Sequence, residues 1–490
     1  MTNPKWDQFR VIREQVLQEI RPTPAEIEGI RRVAEKLGAS IKKHAQAAGI
    51  PINFFEIEGS TGLKQTQLRN ASDIDAFIGL PESFVLPQGR SQKRGTHKEL
   101  EQLFANMVTT WLTEAVKDAG AIAVDISYAE HPYLSAKIGP YDLDVVLCVD
   151  LPEAELLKYG PITAMDRTPW HSRYLHRALT PDQKDDVRLL KQFFKACHAY
   201  GDASAPGQVG FIGYASELLI EHIGSFLEVL EAFPELPQRV IDPFGRSAGQ
   251  LRKIPRFQND HLLIIDPTDR NRNVAAAISA RAYRWVNARV KQFLVKPSLD
   301  FFRITPIPEV SECPPEFQVI EFRVEGNVHY TVIRDKLYSW ATSTQKNARL
   351  ENGREPRFQG TTFELYFRPD APNYAVAFWT NTPQISIDFL RQGPAIVKSD
   401  ALNANGLEPS DVKKFLAKHP NAIISDGFYW IHQKRDFTDF TAFLINQLQE
   451  RPVADSLVVT NLPSLTPNTL LGRQALFVLR EMVLPYEPIE

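Results

Sequence analysis

The 490-residue chain has few cysteines and no long apolar run. Its three cysteines, Cys148, Cys197 and Cys313, lie far apart and show no CxxC or Cys/His ligand spacing. This pattern excludes a disulfide scaffold and a cysteine-based metal site. The most apolar stretches are short or broken by charges, and no basic-then-apolar leader is present. These absences predict a soluble protein of the reducing cytoplasm, with no membrane partner.

A net positive charge is also lacking. The 56 Lys and Arg residues are opposed by 59 Asp and Glu residues, which gives a net charge of −3. Such a chain has no overall electrostatic attraction for a polyanion, so any nucleic-acid binding must use a local basic surface. With 43% hydrophobic residues, the composition is that of a folded globular protein.

The length and the order of the patterns predict several domains. Residues 1–160 indicate a small mixed sheet with helices, residues 161–295 are largely helical, and residues 296–490 are again mixed. No internal repeat or low-complexity linker separates them. The predicted fold class is therefore α+β, with a mixed N-terminal region, a largely helical middle region and a mixed C-terminal region.

Particular segments predict particular elements. A helix should begin after Thr23, with Pro24 at its first position and Glu26 as the capping-box partner. Strand composition occurs in the following segments: INFFEIEG, SDIDAFIGL, IAVDISYAE, YDLDVVLCVD, FQVIEFRVE, TTFELYFRP and NYAVAFWTN. Helical spacing occurs in these: DDVRLLKQFFKACHAYG, GYASELLIEHIGSFLEVLEAF, RNVAAAISARAYRWVNARVKQFL and PSDVKKFLAKH.

Paired carboxylates give the strongest chemical signal. On a strand, Asp73 and Asp75 share one face while the apolar residues between and after them share the other. Two carboxylates this close repel one another unless a cation lies between them, and Mg2+ prefers such oxygen ligands. A third acid from a neighbouring strand, either Asp142 or Asp144, would complete a two-metal centre.

Upstream of these acids, Gly59 and Ser60 end a strand at a tight turn. Free backbone N–H groups and a small hydroxyl there can hold a phosphate, and Lys64 can add a charge. A DxD pair alone is more often a charged strand face than a metal site. The order of strand, Gly-Ser turn, DxD strand, helix and a further acidic strand favours phosphoryl transfer.

Together with segments further along, these motifs resemble the archaeal-type (class I) CCA-adding tRNA nucleotidyltransferases of the nucleotidyltransferase superfamily. The segments that carry the resemblance are AMDRTPWHSRYL, DDVRLLKQFFKACHAYG, GFIGYASELLIEHIGSF, IIDPTDRNRNVAAAIS, KPSLDFF and the C-terminal run ISIDFLRQGPAI to ISDGFYWIHQKR. The resemblance implies a palm-like head, a neck that holds the nucleotide, and a body and tail that bind RNA.

The resemblance also implies roles for individual residues. Asp73, Asp75 and Asp144 would bind two Mg2+ ions, with Asp144 preferred over Asp142. The implied nucleotide-binding residues are Gly59, Ser60, Lys64, Thr168, His171, Lys191, Tyr200 and Arg272. Structural roles compete with several of these: a buried histidine for His171, a solvated charge for Lys191, a core ring for Tyr200, and a partner of Asp266 or Asp269 for Arg272.

The predicted reaction is transfer of nucleotides from CTP and ATP to a tRNA 3′ end, as CCA addition or repair. The family commonly shows GSYARGTWL where this chain has GSTGLKQTQL, so Lys64 stands near the place of an arginine. Three alternatives are a nucleotidyltransferase with a non-tRNA acceptor, for example one that makes a small oligonucleotide signal, a non-catalytic RNA-binding relative, and a plain structural protein. A homodimer is one assembly that this interpretation allows.

Overall fold

The computed structural model describes residues 4–71, 73–87, 95–351, 355–396 and 409–488. The chain forms two compact units: the first comprises residues 1–201 and 209–305, and the second comprises residues 202–208 and 306–490. Helices and sheets occur in both units, which confirms the predicted α+β class. The finer division into head, neck and body at residues 160 and 295 stays a prediction.

The first unit contains twelve α-helices among the described residues. They are α1 (Pro4–Ile20), α2 (Pro24–Ala47), α3 (Glu82–Val85), α4 (Gly95–Met107), α5 (Thr113–Asp118), α6 (Glu153–Tyr159), α7 (Thr168–Ala178), α8 (Pro181–Ala196), α9 (Gly213–Ile223), α10 (Phe226–Ala232), α11 (Ala248–Leu251) and α12 (Ala280–Val295). Its strands are β1 (Phe54–Ile57), β2 (Asp73–Pro81), β3 (Ile122–Tyr128), β4 (Pro132–Ile138), β5 (Tyr141–Asp150), β6 (Val240–Ile241), β7 (Leu263–Asp266) and β8 (Asp269–Asn273).

A five-stranded sheet with the order β1-β2-β5-β4-β3 organises the N-terminal part of this unit. Strands β2 and β5 are parallel and the other neighbours are antiparallel. Alternate residues of β2 and β5, including Ile74, Ile78, Val145 and Leu147, are buried against α2 and the α4–α5 region. The opposite face of the sheet is therefore free to present polar side chains at the start of both strands.

A second core lies between α1, α8, α9, α10 and α12. Phenylalanine rings dominate it, and Phe193 of α8 contacts Phe226 and Phe293 with ring centroids 6.1 and 5.8 Å apart. The small β6-β7-β8 sheet packs beside these helices and places Asp266 and Arg272 on neighbouring strands. Packing of α8 and α9 in this core sets the position of the polar face described below.

The second unit contains the following elements: strands β9 (Phe317–Val324), β10 (Leu350–Glu351), β11 (Glu355–Pro356), β12 (Thr362–Phe367), β13 (Asn373–Trp379), β14 (Asp388–Ala395), β15 (Ile423–Ser425), β16 (Phe428–Lys434) and β17 (Leu457–Val459), and helices α13 (Tyr330–Arg349), α14 (Pro409–Lys418), α15 (Phe440–Glu450) and α16 (Leu470–Phe477). The sheet β12-β13-β9-β17 carries an aromatic core against α13 and α15, and β14-β16-β15 form a separate three-stranded sheet.

Most predicted elements are present. The capping box of α2 is formed, because Thr23 Oγ1 accepts from the Glu26 N–H and Glu26 accepts from the Thr23 N–H. All seven predicted strands occur, as do helices at 185–196 and 409–418. Residues 88–94, part of the charged segment PQGRSQKRGTHKEL, lie outside the described residues. Across the described ranges, no helix combines the length and the apolar character that a bilayer crossing requires.

Two predicted helices are wrong in extent. The segment starting at Gly213 is two helices, because Gly224 adopts φ 129°, a conformation that a helix cannot continue, and Ser225 caps α10. The segment starting at Arg272 becomes helical only after Ser279, whose side chain caps α12. Arg272 and Asn273 instead belong to β8, where Asn273 Oδ1 accepts from the Ile264 N–H and so joins the hairpin to β7.

Candidate active site

Parallel pairing of β2 and β5 brings four aspartates to one edge of the sheet. In the register, Asp73 lies opposite Asp142 and Asp75 lies opposite Asp144. Asp73 and Asp142 are exposed, whereas Asp75 and Asp144 are half-buried. The intervening Ile74 and Leu143 are buried on the other face. The sequence alternation therefore produces the predicted arrangement, with two carboxylates in a sheltered position and two closer to solvent.

The two candidates for the third acid have different surroundings. Asp144 Oδ1 accepts a hydrogen bond from Ser135 Oγ on β4 at 2.8 Å and lies directly opposite Asp75. Asp142 instead forms an ion pair with Lys137 Nζ at 2.9 Å near solvent. Of the two, Asp144 is the one placed to share a ligand with Asp75, although the assignment itself stays a prediction.

Burial and mutual repulsion both disfavour ionisation of the carboxyl groups in the site. Burial first, and then the neighbouring carboxylates Asp144 and Asp73, raise the pKa of Asp75 to about 6 against the opposing effect of Lys64. The pKa of Asp144 is also raised, chiefly by burial and then by Asp73 and Asp142. Because these carboxyl groups disfavour one another's ionisation, a bound divalent cation would stabilise their charged forms.

The donor set fits hard divalent cations, because it consists only of carboxylates on two adjacent strands. Among the described residues, however, no group of three or more His, Cys, Asp or Glu side chains already converges as a ligand set. The side chains would therefore have to draw together around the ion. A divalent-metal requirement and the two-metal site both remain proposals.

The turn between β1 and β2 packs tightly against these acids. Gly59 adopts φ 64°, and a Cβ at this position would lie 2.2 Å from Asp75 Oδ2. A Cβ at Gly62 would lie 1.9 Å from the Ile57 carbonyl oxygen. The turn is closed by Gly62 N–H donating to the Glu58 carbonyl at 3.1 Å. Glycine at these two positions allows the backbone that begins at Gly59-Ser60 to lie directly beside Asp75.

A buried glutamate, which the sequence interpretation missed, supports this turn. Glu58 is 0% exposed, and its N–H donates to the Asp75 carbonyl at 2.7 Å. Ser172 and Glu56 lie nearby, but neither Glu58 carboxyl oxygen makes a hydrogen bond of normal geometry with a described residue. Burial, with Glu56 adding to it, raises the pKa of Glu58 to about 8, so its carboxyl group is mainly protonated at pH 7.

Glu217 of α9 joins the turn to the helical core. Its carboxylate lies 2.8 Å from Lys64 Nζ, 2.8 Å from Lys191 Nζ and 2.5 Å from Thr66 Oγ1. The two lysines hold the pKa of Glu217 down at about 2 against the effect of burial. Lys64 and Lys191 are buried in this cluster, so Lys191 is not a solvated helix charge.

Asp266 of β7 organises a second polar cluster. It accepts from His171 Nε2 at 2.8 Å, from Arg272 Nη1 at 2.9 Å and from the Tyr214 hydroxyl at 3.1 Å. The structural alternatives therefore apply in part: His171 is a buried histidine, and Arg272 is a partner of Asp266. The Tyr214 ring stacks on His171 at 4.2 Å, and both Lys64 and Arg272 lie within 6 Å of its centroid.

Tyr200 and Thr168 complete the predicted set. Tyr200 is half-buried, and burial raises the pKa of its hydroxyl, with Glu217 and Asp73 adding to the effect. A Cβ on Gly213 would lie 3.0 Å from that hydroxyl, so the start of α9 packs closely on Tyr200. Thr168 is the first residue of α7 and is half-buried. Among the residues that the structure describes, no contact joins Thr168 to the acids, and its role stays a prediction.

Glu217, Tyr214 and Glu58 are site residues that sequence reasoning missed. Glu217 and Tyr214 are three apart on α9, inside a segment interpreted only as an amphipathic helix. Glu58 directly precedes Gly59-Ser60 and is an acid in a strand of apolar composition. A charged residue within an otherwise apolar pattern was the signal available at Glu58 and Glu217.

Comparison with known proteins agrees with this geometry. Residues 185–303 match the family model described as tRNA nucleotidyltransferase, second domain. A CCA-adding enzyme of Pyrobaculum aerophilum is 32% identical over 295 residues, which are 59% of this chain and 62% of that enzyme. One of Saccharolobus shibatae is 34% identical over 292 residues, which are 60% and 61% of the two chains. The resemblance to archaeal CCA-adding enzymes is thus confirmed, and the match spans about three fifths of the length of these curated relatives.

Solved structures give a weaker likeness. A cytoplasmic RNA terminal U-transferase is 13% identical with a TM-score of 0.42, covering 62% of this chain and 100% of that one. CdnC of E. coli MS115-1, determined with ATP, is 16% identical with a TM-score of 0.41, covering 59% and 94%.

Proposed function

We propose that the chain is a metal-dependent nucleotidyltransferase that adds or repairs CCA at tRNA 3′ ends from CTP and ATP. The observation that carries this proposal is the β2–β5 register, which sets Asp75 opposite Asp144 beside the Gly59 turn. The 32–34% identity to CCA-adding enzymes supports tRNA as the acceptor. A non-tRNA acceptor is not favoured, since the curated relatives carry no such name.

The carboxylates of Asp73, Asp75 and Asp144 would hold Mg2+, which when bound neutralises the triphosphate and acidifies the attacking hydroxyl. Asp144 would accept the proton of the 3′ hydroxyl, while Ser135 Oγ keeps its carboxylate in place. The turn at Gly59 and Ser60 would orient the triphosphate through backbone N–H groups. The 3′ oxygen then bonds to the α-phosphorus and pyrophosphate leaves.

The neck residues would hold the rest of the nucleotide. Asp266 fixes His171 and Arg272. The remaining N–H groups of Arg272 and the Nδ1 acceptor of His171 would therefore meet a base, sugar or phosphate at low entropic cost. Thr168 and Tyr200 would contribute hydroxyl groups, and Lys64 and Lys191 supply positive charge close to the turn. The planar guanidinium group of Arg272 can donate hydrogen bonds to two acceptor atoms at once.

Incubation of the whole chain with Mg2+, labelled CTP or ATP and tRNA lacking its terminal residues tests the proposal. We expect the RNA to grow by up to three nucleotides. Label that enters a small product without RNA would favour the non-tRNA alternative instead. A homodimer and a cytoplasmic location stay predictions, which size-exclusion chromatography with light scattering and cell fractionation would check.

A further inference from the structure

Exposed basic side chains lie at a bulge of β8. The register between β7 and β8 shifts, so residues 270–272 of β8 bulge away from the ladder. Arg270 is exposed there, two residues from Arg272 of the candidate active site, a separation of at most about 7 Å along the backbone. Arg256 is also exposed, and its Nη1 donates to the Asn271 carbonyl oxygen at 2.9 Å. Two guanidinium groups therefore lie close to the candidate active site.

The loop from Asp242 to Arg246 places an aromatic ring beside this bulge. Asp242 closes the loop, because it accepts from the Phe244 N–H at 3.2 Å, from the Arg246 N–H at 2.9 Å and from Arg246 Nε at 2.8 Å. The Phe244 ring is half-buried, and the guanidinium groups of Arg246 and Arg270 lie 5.3 and 5.8 Å from its centroid. The loop thus holds the ring in a fixed position next to Arg270.

Nearby acids do not neutralise the positive charge of this surface. Arg246 is paired with Asp242, whereas neither Arg256 nor Arg270 forms an ion pair with any residue that the structure describes. The chain as a whole carries a net charge of −3, so this surface is a local basic feature of an acidic protein. Such a feature attracts phosphate groups, and an arginine beside an aromatic ring can also lie against a nucleobase.

We propose that Phe244, Arg256 and Arg270, here called the Phe244 surface, bind an unpaired nucleotide of the RNA acceptor, on the strand that ends at the 3′ hydroxyl. This inference rests on the proposed function and names how the acceptor is held. A partly exposed ring can stack on an unpaired base, whereas bases inside a duplex have their faces covered. The two guanidinium groups would contact the adjoining phosphates. Since Arg270 is two residues from Arg272, the bound nucleotide would lie beside the site that the 3′ end must reach.

Fluorescence anisotropy without nucleotide tests the inference. The whole chain is titrated against two stem–loop RNAs of one sequence, one blunt and one with a single-stranded 3′ overhang. Arg270→Gln should raise Kd for the overhang RNA by about fivefold or more. It should also lower the slope of log Kd against log salt concentration by about 0.7, because one contact to a single-strand phosphate is lost. Kd for the blunt RNA should not change.

Substitution of the ring separates stacking from charge. Phe244→Leu should raise Kd for the overhang RNA by about fivefold or more, and Phe244→Tyr should retain the wild-type Kd because it keeps an aromatic ring. The matched charge control is Lys42→Gln. Lys42 is exposed on α2, which covers the face of the five-stranded sheet opposite the acids, so both RNAs should bind this variant as they bind the wild-type chain.

Wild-type affinity of Arg270→Gln for the overhang RNA would overturn the inference, as would an equal loss with the blunt RNA or with Lys42→Gln. Calorimetry with a non-hydrolysable CTP analogue in Mg2+ gives a further check. A loss of affinity for the analogue instead of the RNA would assign the Phe244 surface to the incoming nucleotide and so overturn the inference. If the wild-type chain binds the overhang RNA through this surface but transfers no nucleotide to it, only the proposed function falls.

Discussion

At the scale of single residues, Asp75 is a position where the proposed function and the stability of the fold are opposed. It is paired with Asp144 across the parallel register, and its pKa is about 6 because burial and two neighbouring acids disfavour its charge. A protein with no need for a metal would gain stability by removing that charge. The retained carboxylate is therefore evidence for a ligand rather than for a structural role.

Asp75→Asn should stabilise the metal-free protein and abolish nucleotide transfer. At pH 7 the charged Asp75 costs on the order of 1–3 kcal/mol, because its folded pKa exceeds its unfolded value. Urea unfolding without Mg2+ measures the gain, and the labelled-nucleotide assay measures the loss. Full activity, or a destabilised variant, would contradict the metal-site proposal.

The third acid can be identified by a matched pair of substitutions. Asp144→Asn should reduce kcat by at least about a hundredfold, since a ligand shared with Asp75 would be lost. Asp142→Asn should leave kcat nearly unchanged, because Asp142 pairs with Lys137 near solvent. Equal losses in the two variants would contradict the choice of Asp144.

At the scale of elements, the turn between β1 and β2 connects the sheet to the helical core. The backbone of this turn lies close to Asp75 at Gly59, and the side chains of Lys64 and Thr66 donate hydrogen bonds to Glu217 of α9. The family's GSYARGTWL is altered to GSTGLKQTQL in this turn. Within this altered turn, Lys64, Thr66 and Gln67 contact α8 or α9, so the change in sequence coincides with attachment of the turn to these helices through lysine and arginine side chains.

Gly62→Ala should disrupt this turn, because the new Cβ would lie 1.9 Å from the Ile57 carbonyl oxygen. A loss of at least about 2 kcal/mol in the free energy of unfolding is expected, together with weaker nucleotide binding. The control is Gly249→Ala in α11, where no atom lies within 4 Å of the added Cβ. Chemical denaturation of both variants tests the difference, and equal stability would show that the turn can relax.

At the scale of the whole molecule, buried carboxyl groups should give stability an unusual pH dependence. The folded pKa is about 8 for Glu58 and about 6 for Asp75 and for Asp166, a buried acid just before α7. These values exceed the unfolded ones, so the cost of ionising these groups grows as pH rises from about 4 to 8. Glu217, at about 2, stabilises the fold above pH 4.5 and loses that effect as pH falls toward 2.

We therefore expect ionisation of Glu58 to lower Tm without Mg2+ as pH rises from about 4.5 to 8. The Tm of Glu58→Gln relative to the wild-type chain should rise between pH 6 and 8, because the substitution replaces a group that ionises there with a neutral one, while the buried histidines are the same in both chains. Differential scanning fluorimetry across this pH range measures both effects. An unchanged slope in the variant would show that Glu58 is not the group responsible.

Much of the fold followed from local patterns. The capping box at Thr23 and the alternation in SDIDAFIGL and YDLDVVLCVD predicted α2, β2 and β5 correctly, because caps and side-chain faces depend on residues close in sequence. The break at Gly224 and the strand at Arg272 were not predicted. Helical periodicity is measured over a window of many residues, so it does not detect the backbone conformation of a single glycine. It also does not detect a short hairpin that is buried by residues distant in sequence.

By itself, the sequence determined which residues could do the chemistry: two aspartates on one strand face, a Gly-Ser turn and a further acidic strand. Only the tertiary structure decided which of the charged side chains are paired with one another inside the fold. Glu217 and Asp266 come from α9 and β7, far along the chain, and they engage Lys64, Lys191, His171 and Arg272. Whether a lysine is paired depends on which groups the fold brings close to it, and for that reason the pairing of Lys64 and Lys191 with Glu217 could be seen only in three dimensions.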